Sequence, residues 1–274
     1  MLKDIIVNLS IEAGRDVGTE FAIYLARQFG SHVEGVAFAY EPNIGLPVPI
    51  GTAATVVQGF FAEYRDRAAR AGEAFTEQAK AAGIAFNTQQ ITAEIPDAAD
   101  IFARLARTRD LAVVVKPMPE DSVPTDILLQ AALFTSGRPV IVVPHSRAAD
   151  APLDRILIGW DGGPAAARAV GDAMPLLKRA KSVSILTIML SGDEGHKAEG
   201  LVRHLKRHGV TADASVTVAP DMDVGSIMLS YAADVSADMI VMGAYGHSRF
   251  REFLLGGATR SILPSMTVPT LMSH

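Results

Sequence analysis

The sequence predicts an α/β protein made of two similar halves, each a mostly parallel sheet with helices on both faces. Apolar runs rich in β-branched residues alternate with stretches that carry apolar residues at helical spacing, and the same order occurs twice along the 274 residues. This alternation is typical of parallel sheets whose strands are buried on both faces. We therefore expect two tandem Rossmann-like or flavodoxin-like domains, each with a five-stranded, mostly parallel sheet.

The first half alternates five predicted strands with four predicted helices. The first helix is expected to end at Gly30, and the third to begin with Asp97 as its N-cap. An apolar stretch rich in Pro and Gly at residues 42–60 fits a lid, a hydrophobic pocket or an interface, and the sequence does not decide among them. In order, the segments are DIIVNL, DVGTEFAIYLARQFG, HVEGVAFAY, VVQGFFAEYRDRAARAGEAFTEQAKAAG, FNTQQITA, DAADIFARLARTR, LAVVVK, PTDILLQAALFTSG and PVIVVPH.

The second half repeats this order after the polar stretch SRAADAPLD, which fits a linker. Its segments are RILIGW, PAAARAVGDAMPLLKRA, SVSILTIML, GHKAEGLVRHLKRHG, ADASVTVA, DVGSIMLSYAADVSA, DMIVMGA, SRFREFLLGGATRSILPSM and VPTLM. Because segment order and length both recur, we infer an internal duplication rather than two unrelated α/β halves. The predicted domains are residues 1–146 and 153–274.

Composition excludes several classes of protein. A hydrophobic content of 49% with 20% charged residues is that of a globular protein with a large core. The net charge of −5 provides no basic surface for nucleic acid, and the absence of cysteine excludes disulfides and thiolate metal sites. The N-terminus lacks the features of a signal peptide, and no apolar run is long enough to span a membrane, so we expect a cytoplasmic protein.

Four glycines follow the strand DMIVMGA in the pattern Gly-x2-Gly-x9-Gly-Gly-x-Thr, at Gly243, Gly246, Gly256 and Gly257. Ligands of open α/β sheets bind beyond the carboxyl ends of the strands. Glycines there let backbone N–H groups turn toward an anion, and the start of a helix adds partial positive charge. The pattern therefore indicates a phosphate cradle, although turns and tight packing also use glycine. It is neither a Walker A loop nor a dinucleotide fingerprint.

The segment VMGAYGHSRFREFLLGGATRSILPSMTVPTLM resembles the C-terminal segment of universal stress proteins, whose nucleotide-binding members carry Gly-x2-Gly-x9-Gly-Ser/Thr. The repeated strand order is similar to the tandem members of that family. The resemblance implies the adenine nucleotide alpha hydrolase-like variant of the fold. It also implies that Asp161 contacts adenosine and that the backbone near Met189 holds the adenine, although Asp161 fits a turn or N-cap residue as well. It assigns further nucleotide contacts to Met242, Gly243, Tyr245, Gly246, Gly256, Gly257, Ala258 and Thr259.

Two departures from the family pattern affect the expected site. Gly257 stands where the family has Ser or Thr, so a hydroxyl for a terminal phosphate is missing, and ADP or AMP are expected to bind as well as ATP. In the first half, Ser10 occupies the position of Asp161, and Lys116, Pro117 and Pro119 stand instead of Gly-x2-Gly. Proline has no N–H to donate, so we predict that the N-terminal domain binds no ATP.

The resemblance implies a stress-response or regulatory protein that binds ATP, ADP or AMP in its C-terminal domain, with Mg²⁺ as a companion of ATP. No catalytic residue is assigned, and hydrolysis or autophosphorylation is expected to be weak at most. The alternatives are a nucleotide-free interaction module and a nucleotidyl-transfer ligase. His204 and His208 stand four residues apart, but a solvated helix face explains them better than a metal site. The last strands of the two halves are expected to pair as in a dimer, and homodimers are a further expectation.

Overall fold

A computed structural model of the chain describes residues 1–12, 14–41, 53–123, 125–189, 198–218, 223–244 and 262–274, with only the backbone at 53–58. The strands are β1 (Asp4–Asn8), β2 (His32–Glu41), β3 (Ala85–Glu94), β4 (Leu111–Val115), β5 (Val140–Val143), β6 (Arg155–Gly159), β7 (Ser182–Met189), β8 (Ala212–Val218), β9 (Met239–Gly243) and β10 (Thr270–Ser273). The helices are α1 (Val17–Phe29), α2 (Ala53–Ala82), α3 (Ile95–Ala106), α4 (Thr125–Thr135), α5 (Pro164–Leu177), α6 (Glu199–Arg207) and α7 (Val224–Asp234). The predicted α/β class is confirmed.

The chain forms two compact units, Leu2–Arg138 and Pro139–His274 with Met1. Strand β5 belongs to the second unit because it pairs antiparallel with β10, with Ile141 opposite Leu271. The expected pairing of the two last strands is therefore present. The limits 1–146 and 153–274 describe the repeat in the sequence and stay a prediction.

The first unit has a parallel sheet in the order β3-β2-β1-β4. Helix α1 lies close to this sheet near its start. An ideal Cβ added to Gly18 would lie 2.8 Å from Cγ2 of Val115 and 3.7 Å from Cγ2 of Val7. Gly30 ends α1 in the left-handed conformation, with φ 62° and ψ 44°, as predicted.

Helix α2 covers the same sheet with its apolar side. Ala68 and Phe75 are buried, whereas Phe61 is half-buried. Its outer side carries charged residues, including the pair Glu63 and Arg67. Among the described residues, no helix combines the length and the apolar character needed to cross a membrane.

The second unit has the strand order β5-β10-β9-β6-β7-β8, in which β6 to β10 are parallel and β5 is antiparallel. The order β9-β6-β7-β8 repeats the order β4-β1-β2-β3 of the first unit. In both units the first strand of the half has the second and fourth strands of that half as neighbours. The two halves thus share one topology.

An aspartate in front of the fourth strand of each half makes the same hydrogen bonds. Oδ2 of Asp110 accepts the backbone N–H groups of Lys3 and Asp4, at 2.7 and 3.1 Å. Oδ2 of Asp238 likewise accepts those of Asp154 and Arg155, at 3.0 and 2.8 Å. Each carboxylate joins the start of the first strand to the start of the fourth, and the repetition supports the inferred duplication.

Helix α3 begins earlier than predicted, so the expected N-cap at Asp97 is wrong. The helix starts at Ile95 with Glu94 in the cap position, and Pro96 lies in its first turn. Proline is favoured there because its fixed φ suits a helix and its missing N–H has no partner to lose. Most of the helix predicted over residues 248–266, and most of the stretch 42–60, lie outside the described residues.

Candidate functional site

The order in which successive strands are added to the sheet reverses at strand β6, although all of these strands are parallel. From β6 the chain proceeds to β7 and β8 on one side, and then returns to place β9 on the other side of β6. In the register of the sheet, Gly159 lies opposite Leu186 of β7 and Met242 of β9. In parallel α/β sheets a crevice opens at such a switch point, outside the carboxyl ends of the strands. The crevice between the ends of β6 and β9 is the candidate site.

Asp161 lies two residues beyond the end of β6 and is exposed. Its Oδ1 accepts the backbone N–H of Gly163 at 2.8 Å. Asp161 therefore holds the turn that leads into α5, which is one of the two roles considered for it. Its predicted contact with adenosine stays a prediction.

Helix α5 begins at this edge of the sheet without a side-chain cap. Its N-cap, Gly163, has an extended backbone and no side chain that could cap the helix, its own N–H donates to Asp161, and Pro164 is at the start of the helix. The first N–H groups of a helix have no partner within the helix, and they carry partial positive charge. The start of α5 is therefore suited to an anionic group.

Gly243 ends β9 and lies directly against the first turn of α5. An ideal Cβ at this position would be 2.5 Å from the backbone N of Ala166 and 2.9 Å from Cβ of Ala165. A side chain cannot approach backbone that closely, so packing alone explains why this residue is glycine. The same contact brings the end of β9 against the start of α5. Met242, the preceding residue, is buried in the sheet.

Met189 ends β7, the other neighbour of β6, where it is half-buried and lies opposite Val218 of β8. It therefore stands at the same edge of the sheet as Asp161 and Gly243. The structure places these three residues at the ends of adjacent strands or just beyond them. The other predicted nucleotide contacts lie outside the described residues; they are Tyr245, Gly246, Gly256, Gly257, Ala258 and Thr259.

In the first unit, the corresponding position is filled by the carboxylate of Asp16, the N-cap of α1. Its Oδ1 accepts the N–H groups of Gly18 and Thr19, both at 3.0 Å, and its Oδ2 accepts the N–H of Ser10 at 3.0 Å. Burial raises the pKa of Asp16 above its ordinary value, although these N–H donors act in the opposite direction. The donors that an external anion would need are thus taken by the protein itself. Sequence reasoning missed this role, although an Asp before a helix is an N-cap signal.

His204 of α6 and His208, the residue just after this helix, lie on one side of it, as their spacing predicts. The ring centroids of His204 and His208 are 4.6 Å apart, and both side chains are exposed. Over the described parts of the chain, no group of three or more His, Asp or Glu side chains is arranged to hold a metal ion.

The protein is thus an α/β protein whose second unit has a topological switch point at β6, where open α/β sheets bind ligands. Residues 152–274 match the model of the universal stress protein family. This match agrees with the sequence resemblance described above. A comparison with curated proteins finds no match.

Solved structures extend the likeness to the whole chain. The crystal structure of a universal stress protein from Archaeoglobus fulgidus DSM 4304 is 14% identical, with 98% of this chain and 95% of that chain covered and a TM-score of 0.76. A functionally unknown protein from Pseudomonas aeruginosa PAO1 is also 14% identical, with coverages of 99% and 92% and a TM-score of 0.63. At these identities the likeness concerns the fold. The chain thus has the fold of a universal stress protein over nearly its entire length.

Proposed function

We propose that the C-terminal domain binds an adenine nucleotide, ATP or its products ADP and AMP, and that occupancy changes the contacts of the protein with partners in a stress response. The observation that carries this proposal is the switch point between β6 and β9, where the uncapped start of α5 meets the end of β9. The family of residues 152–274 supports the same conclusion.

The chemistry of the crevice suits the parts of a nucleotide. The exposed carboxylate of Asp161 is an acceptor for ribose hydroxyls. Met189, half-buried on the neighbouring strand, offers apolar surface to a base. The start of α5 and the glycines after Ala244 are suited to phosphate groups, with Mg²⁺ as a companion ion.

We expect regulation rather than rapid catalysis. Efficient phosphoryl transfer needs a residue that orients the attacking water and a cation that stabilises the transition state. Asp161 is already engaged with Gly163, and Arg249 and Arg251 are candidates for phosphate contact only. Hydrolysis or autophosphorylation is therefore expected to be slow.

One site per chain is proposed because the first unit lacks the features of the second. Asp16 occupies the N–H donors at the start of α1, and Val115 ends β4 where Gly243 ends β9. Pro117 and Pro119 follow shortly after that strand and offer no N–H groups.

The proposal is tested by the nucleotide content of the purified protein and by calorimetric titration with ATP and Mg²⁺. We expect about one adenine nucleotide per chain, in line with a single site of ordinary affinity. Gly246→Val should abolish binding without changing the circular dichroism spectrum, because a β-branched side chain would block the cradle. Gly171→Val is the matched control, since a Cβ at Gly171 meets open space on α5. Binding by Gly246→Val at the wild-type affinity would contradict the proposal.

A nucleotide-free interaction module is the second candidate, and the packing of Gly243 against Ala165 and Ala166 favours it. That contact requires a glycine whether or not a ligand binds. If the purified protein releases no nucleotide and shows no heat of binding when it is titrated with ATP and Mg²⁺, the nucleotide-free module is the correct candidate.

A further inference from the structure

Ala244 is the first residue beyond β9, and both of its backbone polar groups have partners in the last two residues of the sequence. Its N–H donates to the carbonyl of Ser273 at 2.8 Å. Its carbonyl oxygen lies 3.2 Å from Nδ1 of His274. Ala244 is fully buried, so these groups cannot turn to water instead.

Helix α5 in turn holds Ser273 and His274. Oγ of Ser273 donates to Oδ2 of Asp172 at 2.8 Å, and Nη1 of Arg168 donates to the backbone carbonyl of His274 at 2.8 Å. Asp172 and Arg168 belong to the helix whose first turn touches Gly243. The end of β9 is therefore held on one side by the start of α5 and on the other by two residues that α5 also fixes.

We propose that His274 is a positioning residue for the nucleotide site. Its ring donates a hydrogen bond from Nδ1 to the carbonyl of Ala244 and fixes the direction in which the chain leaves β9. The residues that follow Ala244 are the glycine-containing segment of the proposed cradle, so this inference rests on the proposed function. Arg168 orients His274 by donating to the backbone carbonyl of His274, and Asp172 orients Ser273 by accepting from its hydroxyl.

The two hydrogen bonds of Ala244 have different consequences. The bond from its N–H to Ser273 continues the pairing of β9 with β10, in which Ser273 lies opposite Gly243. The bond from His274 lies beyond that pairing and sets the orientation of the next peptide group. Without it, the strands remain paired, but the buried carbonyl has lost a donor and its peptide group is free to rotate. A cradle of backbone N–H groups depends on such orientations, because a small displacement weakens every contact.

The test compares His274→Ala with His274→Asn, because Nδ2 of asparagine takes nearly the position of Nδ1 of histidine and donates the same bond. His204→Ala is the matched control, since it removes an exposed histidine from another helix of the same unit. Binding of ATP with Mg²⁺ is measured by calorimetry. We expect a dissociation constant raised about tenfold in His274→Ala, the usual effect of one unmade buried hydrogen bond, and near wild-type values in the other two variants.

Amide hydrogen exchange without nucleotide supplies a second readout. The amides from Ala244 onward, beyond the pairing of β9 with β10, should exchange faster in His274→Ala, but not in His274→Asn. If the wild type binds no ATP, the proposed function fails, and exchange still decides whether His274 fixes Ala244. Unchanged affinity in His274→Ala, equal weakening in His274→Asn, or unchanged exchange in His274→Ala would overturn the inference.

Discussion

At the scale of single residues, each half has one close contact between its first helix and its fourth strand. The glycine that permits this contact lies on the helix in the first half and on the strand in the second. Counting from the equivalent residues Asp110 and Asp238, Val115 corresponds to Gly243. In the first unit the glycine is Gly18 on the helix, against the side chain of Val115; in the second it is Gly243 on the strand, against Ala165 and Ala166. The first half therefore satisfies the packing without placing a glycine where a cradle would begin.

This exchange predicts a compensating pair of substitutions. Gly18→Ala should lower the free energy of unfolding by about 1–3 kcal/mol, because the new Cβ would lie 2.8 Å from Cγ2 of Val115. In a chain that already carries Val115→Ala, Gly18→Ala should lower the free energy of unfolding by markedly less, because Cγ2 of Val115 is no longer present. Urea unfolding of the four chains of the cycle measures the coupling. Gly171→Ala, made into open space, is the control, and strictly additive costs would contradict the prediction.

At the scale of elements, helices α1 and α5 have the same place in their halves and begin differently. Asp16 caps α1 with a buried carboxylate, whereas Gly163, the N-cap of α5, has no side chain to accept the first N–H groups of the helix. A cap of this kind stabilises the fold, and its absence leaves N–H groups to a ligand. The start of the helix thus distinguishes the first half from the half for which we propose nucleotide binding.

We expect Asp16→Ala to lower the free energy of unfolding by about 2 kcal/mol, near the upper end for a lost N-cap, because Ser10 also loses its acceptor. Asp16→Asn should lose less, since its amide oxygen still accepts the N–H groups of Gly18 and Thr19. Denaturant unfolding of both variants measures the difference. Equal stability of Asp16→Ala and the wild type would show that the cap contributes nothing.

The elements were largely predictable from the sequence, and their ends were not. Among the described residues, all ten strands lie in segments that were predicted as strands. Most of these segments are apolar and rich in β-branched residues, because buried parallel strands need them, whereas β3 and β8 are largely exposed. At α3 two local signals compete, Pro96 and Asp97, and the proline determined the start. The site was predictable only as residues at strand ends. The contact of Gly243 with α5 and that of His274 with Ala244 depend on tertiary packing, which no local pattern encodes.

At the scale of the whole molecule, Asp110 and Asp238 tie each half together across long stretches of sequence. Asp238 also pairs with Arg155, whose Nη2 lies 2.8 Å from its Oδ1. Burial acts to raise the pKa of Asp238, but the hydrogen bonds from the side chain and backbone of Arg155 outweigh it and hold the pKa below the ordinary 3.8. The folded value therefore lies below the unfolded value. The resulting stabilisation is complete above the unfolded value and is lost as the pH falls through the folded one.

Asp238→Asn should accordingly be destabilising at pH 7 by about 1–2 kcal/mol, the scale of charge-assisted hydrogen bonds. The difference from the wild type should narrow as the pH falls below about 4, because the unfolded wild type then takes up a proton, and it should close once the pH is below the folded pKa of Asp238. Thermal unfolding of both chains between pH 7 and pH 3 measures this. Asp213→Asn, at an exposed position on β8, is the control. A difference that persists unchanged at pH 3 would contradict the assignment.

The pairing of β5 with β10 has a consequence for biosynthesis. All four residues of β5 are fully buried, yet their partner strand follows about 130 residues later. On the ribosome, the segment Val140–Val143 emerges long before Thr270–Ser273 has been translated. During that interval the wholly apolar segment Val140–Val143 cannot pair with β10. Exposed segments of this kind bind chaperones or aggregate. Thr270–Ser273 therefore supplies the strand that completes the burial of a segment translated about 130 residues earlier.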